Sequence, residues 1–253
     1  MKNMKMYDLT QRLGTSTPPW PTYEPLTIKY FKRLSTERVN GQLITTSNHN
    51  GTHLDGERHF WTAGRDIASI PLEELVGPGV VVDLSHLGDY EIYTSRMVTE
   101  RVEVKKGDIL LIYTGYSRYG WDQPEADEER YMLKHPGPNM EFAEWCREME
   151  LQWIGVDCGS ADHPMNTVCR GLRPDLAAEA EEVLGQPLTE IFPDSGRQLM
   201  HTVLFPHGII HVENIGGEID QILNRRLTIG CFPWKLVEGE SAVARVVAFD
   251  YPE

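Results

Sequence analysis

The stretch of sequence that organises this chain is His49-Asn50-Gly51-Thr52-His53-Leu54-Asp55-Gly56-Glu57-Arg58-His59-Phe60. Imidazole and carboxylate groups are ligands that suit divalent ions such as zinc and manganese. Gly51 permits a turn that aims His49 and His53 at one point, and His53 and Asp55 share a face if this piece is extended. The stretch therefore predicts a metal site that includes His49, His53 and Asp55, with His59 beside it as a proton carrier. The alternative is a histidine-rich surface loop without metal.

The bulk composition is that of a globular protein with a sizeable core. The chain has 253 residues, of which 40% are hydrophobic and 25% charged, and one domain of this length is ordinary. A net charge of −14 disfavours nucleic acid and anionic membranes as partners. The charge favours a small-molecule substrate that is neutral, or an anionic one held by a metal.

The cysteines and the apolar runs bear on the compartment. Four cysteines occur without a Cys-x-x-Cys pair, which indicates neither a disulfide framework nor a thiolate zinc site. The first ten residues lack the apolar core of a signal peptide, and the longest apolar runs are only strand-sized. We therefore expect no membrane span and a cytoplasmic location.

Strand and helix patterns alternate through the chain. Short apolar or β-branched runs predict strands at residues 43–46, 80–84, 109–113, 153–157, 209–215, 227–232 and 243–249. Helix starts and stops predict helices over 71–77, 139–150 and 174–184. The pattern predicts a single α/β domain over residues 1–253, with a mixed sheet and flanking helices. Residues 1–30 read as an extended arm, and residues 115–138 as a lid or subunit-contact loop.

A second group of ligands is expected near the carboxyl-terminal half of the chain. If residues 209–215 form a strand, His211 and Glu213 share a face of it, and His201 precedes the strand. A glutamate in an apolar strand is costly to bury unless it is paired or binds a metal. The alternative for Glu213 is an ion pair with Arg225 or Arg226.

The spacing His49-x-Gly51-Thr52-His53-x-Asp55-x-x-x-His59-Phe60 resembles the signature of the cyclase family of metal-dependent hydrolases, of the bacterial kynurenine formamidase and isatin hydrolase type. Later segments are similar to the family pattern in the same order: Gly155-Val156-Asp157 with Ser160 and Asp162, then His201 and Glu213, then residues 232–236 and 244–248. The resemblance covers nearly the whole chain.

The resemblance implies a swivelling β/β/α fold and a centre with one or two divalent ions, Zn²⁺ or Mn²⁺. It implies that His49, His53 and Asp55 bind the first ion. It further implies that Asp55, His201 and Glu213 bind the second ion and that His59 is the catalytic acid/base.

The chain departs from the family pattern at Glu57, where many members carry proline. A carboxylate there would alter the charge of the site or pair with Arg58. His163 lies outside the signature. His207 is expected in a surface turn, and His211 as a partner of a ligand or as a core histidine.

The function implied is hydrolysis of an amide-type C–N bond, in a cyclic amide or lactam or in an N-formyl aryl amine. A metal ion would generate the attacking hydroxide from bound water, and an imidazole, which titrates near neutral pH, would carry the proton. Candidate pocket residues are Phe60, Trp61, Trp20, Glu57 and His211. The alternatives are a lactone or ester hydrolase of the same family and a non-catalytic metal-binding protein. A homodimer or homotetramer is expected.

Overall fold

The computed structural model describes residues 4–194 and 197–251. Its strands are β1 Lys5–Asp8, β2 Thr27–Lys32, β3 Gly41–Thr45, β4 His53–Asp55, β5 Val76–Asp83, β6 Ile92–Tyr93, β7 Ile109–Tyr113, β8 Gly137–Pro138, β9 Trp153–Val156, β10 Ile210–Glu213, β11 Arg226–Pro233 and β12 Ser241–Asp250. Its α-helices are α1 Leu34–Glu37, α2 Ser95–Thr99, α3 Glu128–Leu133, α4 Met140–Glu148, α5 Cys169–Leu172, α6 Pro174–Leu184, α7 Leu188–Ile191 and α8 Leu199–Leu204.

The main sheet is mixed and closes on itself. Strands β5, β7, β9 and β10 are parallel neighbours, whereas β4, β11, β12 and β1 join by antiparallel pairing. The long strand β12 pairs with β11 on one side and with both β4 and β1 on the other. This double pairing makes the sheet barrel-like and sets β4 between β10 and β12.

The sheet separates two apolar cores because successive strand residues point to opposite faces. Val80 and Val82 pack beneath helices α4, α6 and α8, whereas Val81 belongs to the core that the curved sheet encloses. Leu54 and Val212 also lie in the enclosed core. The predicted α/β fold, with a mixed sheet and flanking helices, is confirmed.

The predicted helices α4 and α6 are confirmed, and the residues at their ends play the expected roles. The Asn139 side chain accepts a hydrogen bond from the Phe142 amide at the start of α4, which satisfies an otherwise unpaired helix amide. Helix α6 begins at Pro174 and ends before Gly185, whose φ of 69° is left-handed. Both ends follow the expected asymmetry of proline at the start and glycine past the end.

The predicted helix over residues 71–77 is wrong. Only Leu72–Glu74 form a 3₁₀ turn, and strand β5 begins at Val76. Gly77 and Pro78 pair with β11, so cross-strand pairing overrides the local pattern of proline followed by glycine. Strand β3 forms as predicted but pairs with β2 in a separate hairpin instead of entering the main sheet.

The segments predicted as an arm and a lid contain regular structure. Within the arm, residues 1–3 lie outside the described part, and β1 pairs with β12 in the main sheet. Within residues 115–138 the chain forms a 3₁₀ turn at Tyr116–Tyr119, helix α3 and strand β8. The four cysteines are buried free thiols. Across residues 4–194 and 197–251, no helix has the length and apolar character needed to cross a bilayer.

His163 lies buried at the start of a 3₁₀ turn and serves the fold. Its Nε2–H donates to the Tyr90 carbonyl at 2.8 Å, and its Nδ1 accepts from the Met165 amide at 3.1 Å. Burial lowers the pKa of His163 to about 4. The neutral ring therefore fits its surroundings, because both nitrogens already have partners that suit the uncharged form.

We predict that His163 makes the fold sensitive to acid. An unfolded histidine titrates near 6.5, so the unfolded chain gains this proton first as pH falls from 6.5 towards 4, and stability is lost. Between pH 7.5 and 5.0 the free energy of unfolding of the wild type should fall by about 2 kcal/mol more than that of His163→Gln. Urea denaturation at both pH values measures this, with the exposed His207→Gln as control. Equal losses in the wild type and His163→Gln would contradict the assignment.

Candidate metal centre

Neighbouring strands β4 and β10 bring the predicted ligands onto one face. Glu213 lies opposite His53, and His211 lies opposite Asp55. The intervening Leu54 points into the enclosed apolar core. The expected sharing of a face by His53 and Asp55, and by His211 and Glu213, is therefore present in the geometry.

A turn before β4 adds His49 to this face. Gly51 has a φ of 64°, a left-handed conformation that glycine adopts without strain. The Thr52 hydroxyl donates to the Asn214 carbonyl at 2.6 Å and so ties the turn to the end of β10. As a result, the rings of His49 and His53 lie with their centroids 5.0 Å apart.

Asp55 is the centre of the cluster. Its Oδ1 lies 2.9 Å from His49 Nδ1 and 3.2 Å from His53 Nε2, whereas its Oδ2 lies 3.5 Å from His201 Nε2. Glu213 faces the same space, with carboxylate oxygens 3.7 Å from His53 Nε2 and 3.8 Å from His201 Nε2. The two oxygens of Asp55 thus face different sets of partners.

Hydrogen bonds at Nδ1, on the side of the ring away from the cluster, orient His53 and His201. The Nδ1–H of His53 donates to the Gly51 carbonyl at 2.8 Å, and the Nδ1–H of His201 donates to Asp162 Oδ2 at 2.5 Å. Each bond points the Nε2 atom into the cluster, which is the ring orientation that metal-binding histidines adopt.

Glu213 does not form the arginine ion pair that was the alternative for it. Arg225 pairs with Asp250 at 2.7 Å, and Arg226 with Asp108 at 2.7 Å. Glu213 accepts a hydrogen bond from the Ala161 amide at 2.7 Å. This bond leaves the carboxylate facing the histidines.

The charged groups of the cluster shift one another's pKa values. Burial opposes protonation of His49 and His201, but the carboxylates beside them outweigh it and raise the pKa of each to about 10. Burial would raise the pKa of Asp55, but His49 and His53 hold it well below its usual range. Burial and the charge of Asp55 raise the pKa of Glu213. The buried carboxylates are therefore stabilised by nearby positive charge, which protons or a metal ion can supply.

The donors fit a divalent metal ion. His53 Nε2 and Asp55 Oδ1 lie 3.2 Å apart, and both are buried without a hydrogen-bond partner. Because Nδ1 of His53 carries the proton donated to the Gly51 carbonyl, the two facing atoms both offer lone pairs. Ligand atoms of His53, Asp55 and Glu213 all lie within 4.8 Å of one another. Nitrogen and carboxylate donors in this arrangement suit zinc or manganese.

The cluster forms the floor of a small cavity of about 50 Å³ that opens to solvent. Aromatic, polar and ligand side chains line it: Pro18, Trp20, Tyr23, His49, His53, Asp55, His59, Phe60, Met132, Gly159, Ser160, Gln198, His201, Glu213 and Asn214. Of the predicted pocket residues, Trp20 and Phe60 line the cavity, whereas Trp61, Glu57 and His211 do not.

Glu57 is buried outside the cavity, where it forms an ion pair with the partly exposed Arg65. Its carboxylate lies 2.6 Å from Arg65 Nη2 and also accepts from the Arg65 amide at 2.8 Å. Arg58, the partner considered from the sequence, instead donates to the Gly64 carbonyl at 3.0 Å. Glu57 therefore holds the loop after the histidine stretch in place.

His211 lies beneath the cluster. Its ring packs 4.6 Å from the Phe205 ring and 4.8 Å from the His201 ring, measured between centroids. Burial lowers the pKa of His211 well below its usual range, and both ring nitrogens are buried without a hydrogen-bond partner. A ligand atom of His211 lies within 4.8 Å of those of His201 and Glu213.

His59 stands at the side of the cluster, with its ring centroid 4.3 Å from that of His49. Its Nδ1 lies 2.9 Å from Glu240 Oε2, and the same oxygen lies 2.9 Å from His49 Nε2. Burial would raise the pKa of Glu240, but the two histidines hold it well below its usual range.

Glu240 and Tyr23 are site residues that sequence reasoning missed. Glu240 sits in a polar turn before β12, one of 38 acidic residues in the chain, and no local pattern separates it from the others. Tyr23, whose ring lies 5.3 Å from that of His49, falls in the segment that the sequence predicts only as an extended arm.

Comparison with known proteins bears on the family of this chain. The model of the putative cyclase family matches residues 7–163. Kynurenine formamidases from Bacillus mycoides (strain KBAB4) and Bacillus anthracis are 24% and 27% identical over 248 residues, which is 98% of each chain.

Solved structures share the fold. Isatin hydrolase A from Ralstonia solanacearum superposes with a TM-score of 0.77 at 20% identity, covering 98% of this chain and 93% of that one. A predicted metal-dependent hydrolase from Bacillus stearothermophilus superposes with a TM-score of 0.68 at 21% identity, covering 98% and 100%. The family model spans more than half of the sequence, and the resemblance drawn from the histidine stretch is confirmed: the chain belongs to the putative cyclase family.

Proposed function

We propose that this chain is a metal-dependent hydrolase that cleaves an amide-type C–N bond in a cyclic amide or lactam, or in an N-formyl aryl amine. The observation that carries the proposal is the convergence of His49, His53, His201 and Glu213 around Asp55 on the floor of a cavity. Relatives named kynurenine formamidase, and a shared fold with a structure named isatin hydrolase, support this substrate class.

The centre holds one or two ions, Zn²⁺ or Mn²⁺. His49, His53 and Asp55 would hold the first, and Asp55, His201 and Glu213 the second, since the two oxygens of Asp55 face different histidines. A bound divalent ion supplies Lewis acidity, which activates water and polarises the substrate carbonyl.

His59 is the acid/base of the reaction. Its Nδ1 lies 2.9 Å from Glu240 Oε2, so a proton held on Nδ1 beside that carboxylate leaves the Nε2 lone pair to accept a proton from the attacking water. Protonated His59 then donates this proton to the leaving nitrogen, which is a poor leaving group as an anion. Trp20, Tyr23 and Phe60 supply aromatic walls for a flat ring.

Two alternatives remain distinguishable. An ester or lactone hydrolase would use the same centre, but its leaving oxygen depends less on a proton from His59. A non-catalytic metal-binding protein would have no use for His59 and the open cavity beside the ligands. The histidine beside the cavity therefore favours an enzyme.

We predict that His59→Ala retains metal but lowers kcat by at least about 100-fold. The ligand residues are unchanged, so metal content by mass spectrometry should match the wild type, while proton transfer is lost. Hydrolysis of N-formyl anilines, isatin-like lactams, cyclic imides and unsaturated lactones should be followed with and without chelation. The exposed His207→Ala is the control. Normal turnover by His59→Ala would exclude the assigned role, and absence of hydrolysis of every class by the metal-loaded wild type would favour the binding protein.

We predict that metal binding releases protons. In the metal-free protein the pKa values of His49 and His201 are near 10, so these imidazoles are protonated at neutral pH, and a metal must displace the protons. Affinity for Zn²⁺ should therefore increase as pH rises from 6 to 8. Isothermal titration calorimetry in two buffers of different ionisation enthalpy should report release of at least one proton. A binding enthalpy that is independent of the buffer would contradict this.

The protein is also proposed to be a homodimer or homotetramer in a reducing, cytoplasmic setting. The β2–β3 hairpin is exposed along both strands, including Phe31, Leu43 and Ile44. An isolated two-stranded hairpin is marginal in water, and exposed apolar clusters mark association surfaces. The buried free thiols are consistent with a reducing compartment.

We predict that Leu43→Glu lowers the oligomeric state. Leu43 is 57% exposed on the hairpin, so a charge there would oppose its burial between subunits. Light scattering should show a multiple of 28.8 kDa for the wild type and a lower mass for the variant. Leu72→Glu, at a similarly exposed leucine outside the hairpin, is the control. A monomeric wild type, or equal masses, would overturn the proposed interface.

A further inference from the structure

Glu240 connects two functional parts of the centre. Its Oε2 lies 2.9 Å from His49 Nε2 and 2.9 Å from His59 Nδ1. One of these histidines is a proposed metal ligand and the other is the proposed acid/base. Oε2 of Glu240 therefore contacts Nε2 of His49, the nitrogen opposite the one that faces Asp55. It also contacts Nδ1 of His59, the nitrogen opposite the one proposed to transfer the proton.

The carboxylate is itself held in a defined orientation. Its second oxygen, Oε1, accepts from Asn48 Nδ2 at 3.3 Å and from Ser241 Oγ at 3.2 Å. The Gly56 amide donates to the Glu240 carbonyl at 2.9 Å, which ties this turn to the end of β4. The position of Oε2 is thus set by the same strand that carries Asp55.

These contacts fix which nitrogen of each ring carries the proton. A carboxylate oxygen only accepts, so the protons that face Glu240 lie on His49 Nε2 and on His59 Nδ1. When a bound metal displaces one of the two protons of His49, the Nε2–H would therefore be the one that stays. His49 then presents Nδ1 to Asp55, 2.9 Å away, and His59 presents Nε2 to the cavity. Carboxylates behind metal-binding histidines fix the tautomer and the ring orientation in this way, and their removal typically costs 10–100-fold in metal affinity or activity.

We infer that Glu240 is a positioning residue that sets the tautomers of His49 and His59 together, coupling metal binding to proton transfer. The part that concerns turnover rests on the proposed hydrolase function. The part that concerns tautomers and metal affinity does not.

The test compares Glu240→Ala and Glu240→Gln with the matched control Glu238→Gln, which removes an equal charge from an exposed position two residues away. In metal-free protein, ¹⁵N shifts of the His59 ring, assigned through His59→Gln, report the tautomer. We expect the Nδ1–H form in the wild type and in Glu238→Gln, and a shift towards Nε2–H in Glu240→Ala. Glu240→Gln should be intermediate, because its amide oxygen still accepts a hydrogen bond but carries no charge.

Metal affinity and kinetics complete the test. We expect Glu240→Ala to bind Zn²⁺ about 10-fold more weakly and, at saturating metal, to lose about 10–100-fold in kcat with KM changed less than about threefold. In the His59→Ala background, Glu240→Ala should cause little further loss of kcat, since its effect passes through His59. If Glu240→Ala does not fold, Glu240→Gln carries the same readouts.

Unchanged tautomers and an unchanged Zn²⁺ affinity in both variants would overturn the inference. A wild type that binds Zn²⁺ and shows the expected tautomer change but hydrolyses nothing would refute the proposed function and leave the positioning role supported. The two failures are therefore distinguishable.

Discussion

Two buried carboxylates that share one small space are the constraint on which the rest of this structure depends. Asp55 and Glu213 are 1% and 4% exposed, and ionised groups are costly to bury without compensating charge. Three imidazoles surround them, and the raised pKa values of His49 and His201 show how strongly the carboxylates attract protons. A bound divalent ion would supply the same compensating positive charge. The buried carboxylates therefore link the stability of the fold to the binding of protons or of a metal ion.

The strand register of the closed sheet brings these carboxylates and imidazoles together. Strand β4 lies between β10 and β12, so residues that are distant in sequence become cross-strand neighbours: Glu213 faces His53, and Ser241 faces Asp55. Alternation along β4 sends Leu54 into the apolar core and leaves polar residues on the other face. Partners behind the rings, among them Asp162 and Glu240, then orient the imidazoles. Rigid backbone pairing places the donors, and hydrogen bonds aim them.

Much of this arrangement could be predicted from the sequence because it follows local rules. The spacing from His49 to His59 indicated a metal site, and the alternation around Glu213 indicated a shared face with His211. Three features could not be read locally. Gly77 and Pro78 enter a strand because β11 pairs with them. Glu57 forms an ion pair with Arg65 instead of with its neighbour Arg58. Glu240 reaches His59 only through the return of β12 to β4. The first and the third depend on long-range strand pairing, and the second depends on how the loop between Glu57 and Arg65 folds; local propensity encodes none of these.

We propose that the five converging side chains, His49, His53, Asp55, His201 and Glu213, bind a catalytic divalent ion. Anomalous diffraction from crystals of the Zn²⁺-loaded protein, recorded on both sides of the zinc edge, tests this most directly. We expect a peak about 2.0–2.2 Å from donor atoms of His49, His53 and Asp55, with any second peak between Asp55, His201 and Glu213. Zinc bound only elsewhere on the protein, with none of these side chains within coordinating distance, would contradict it.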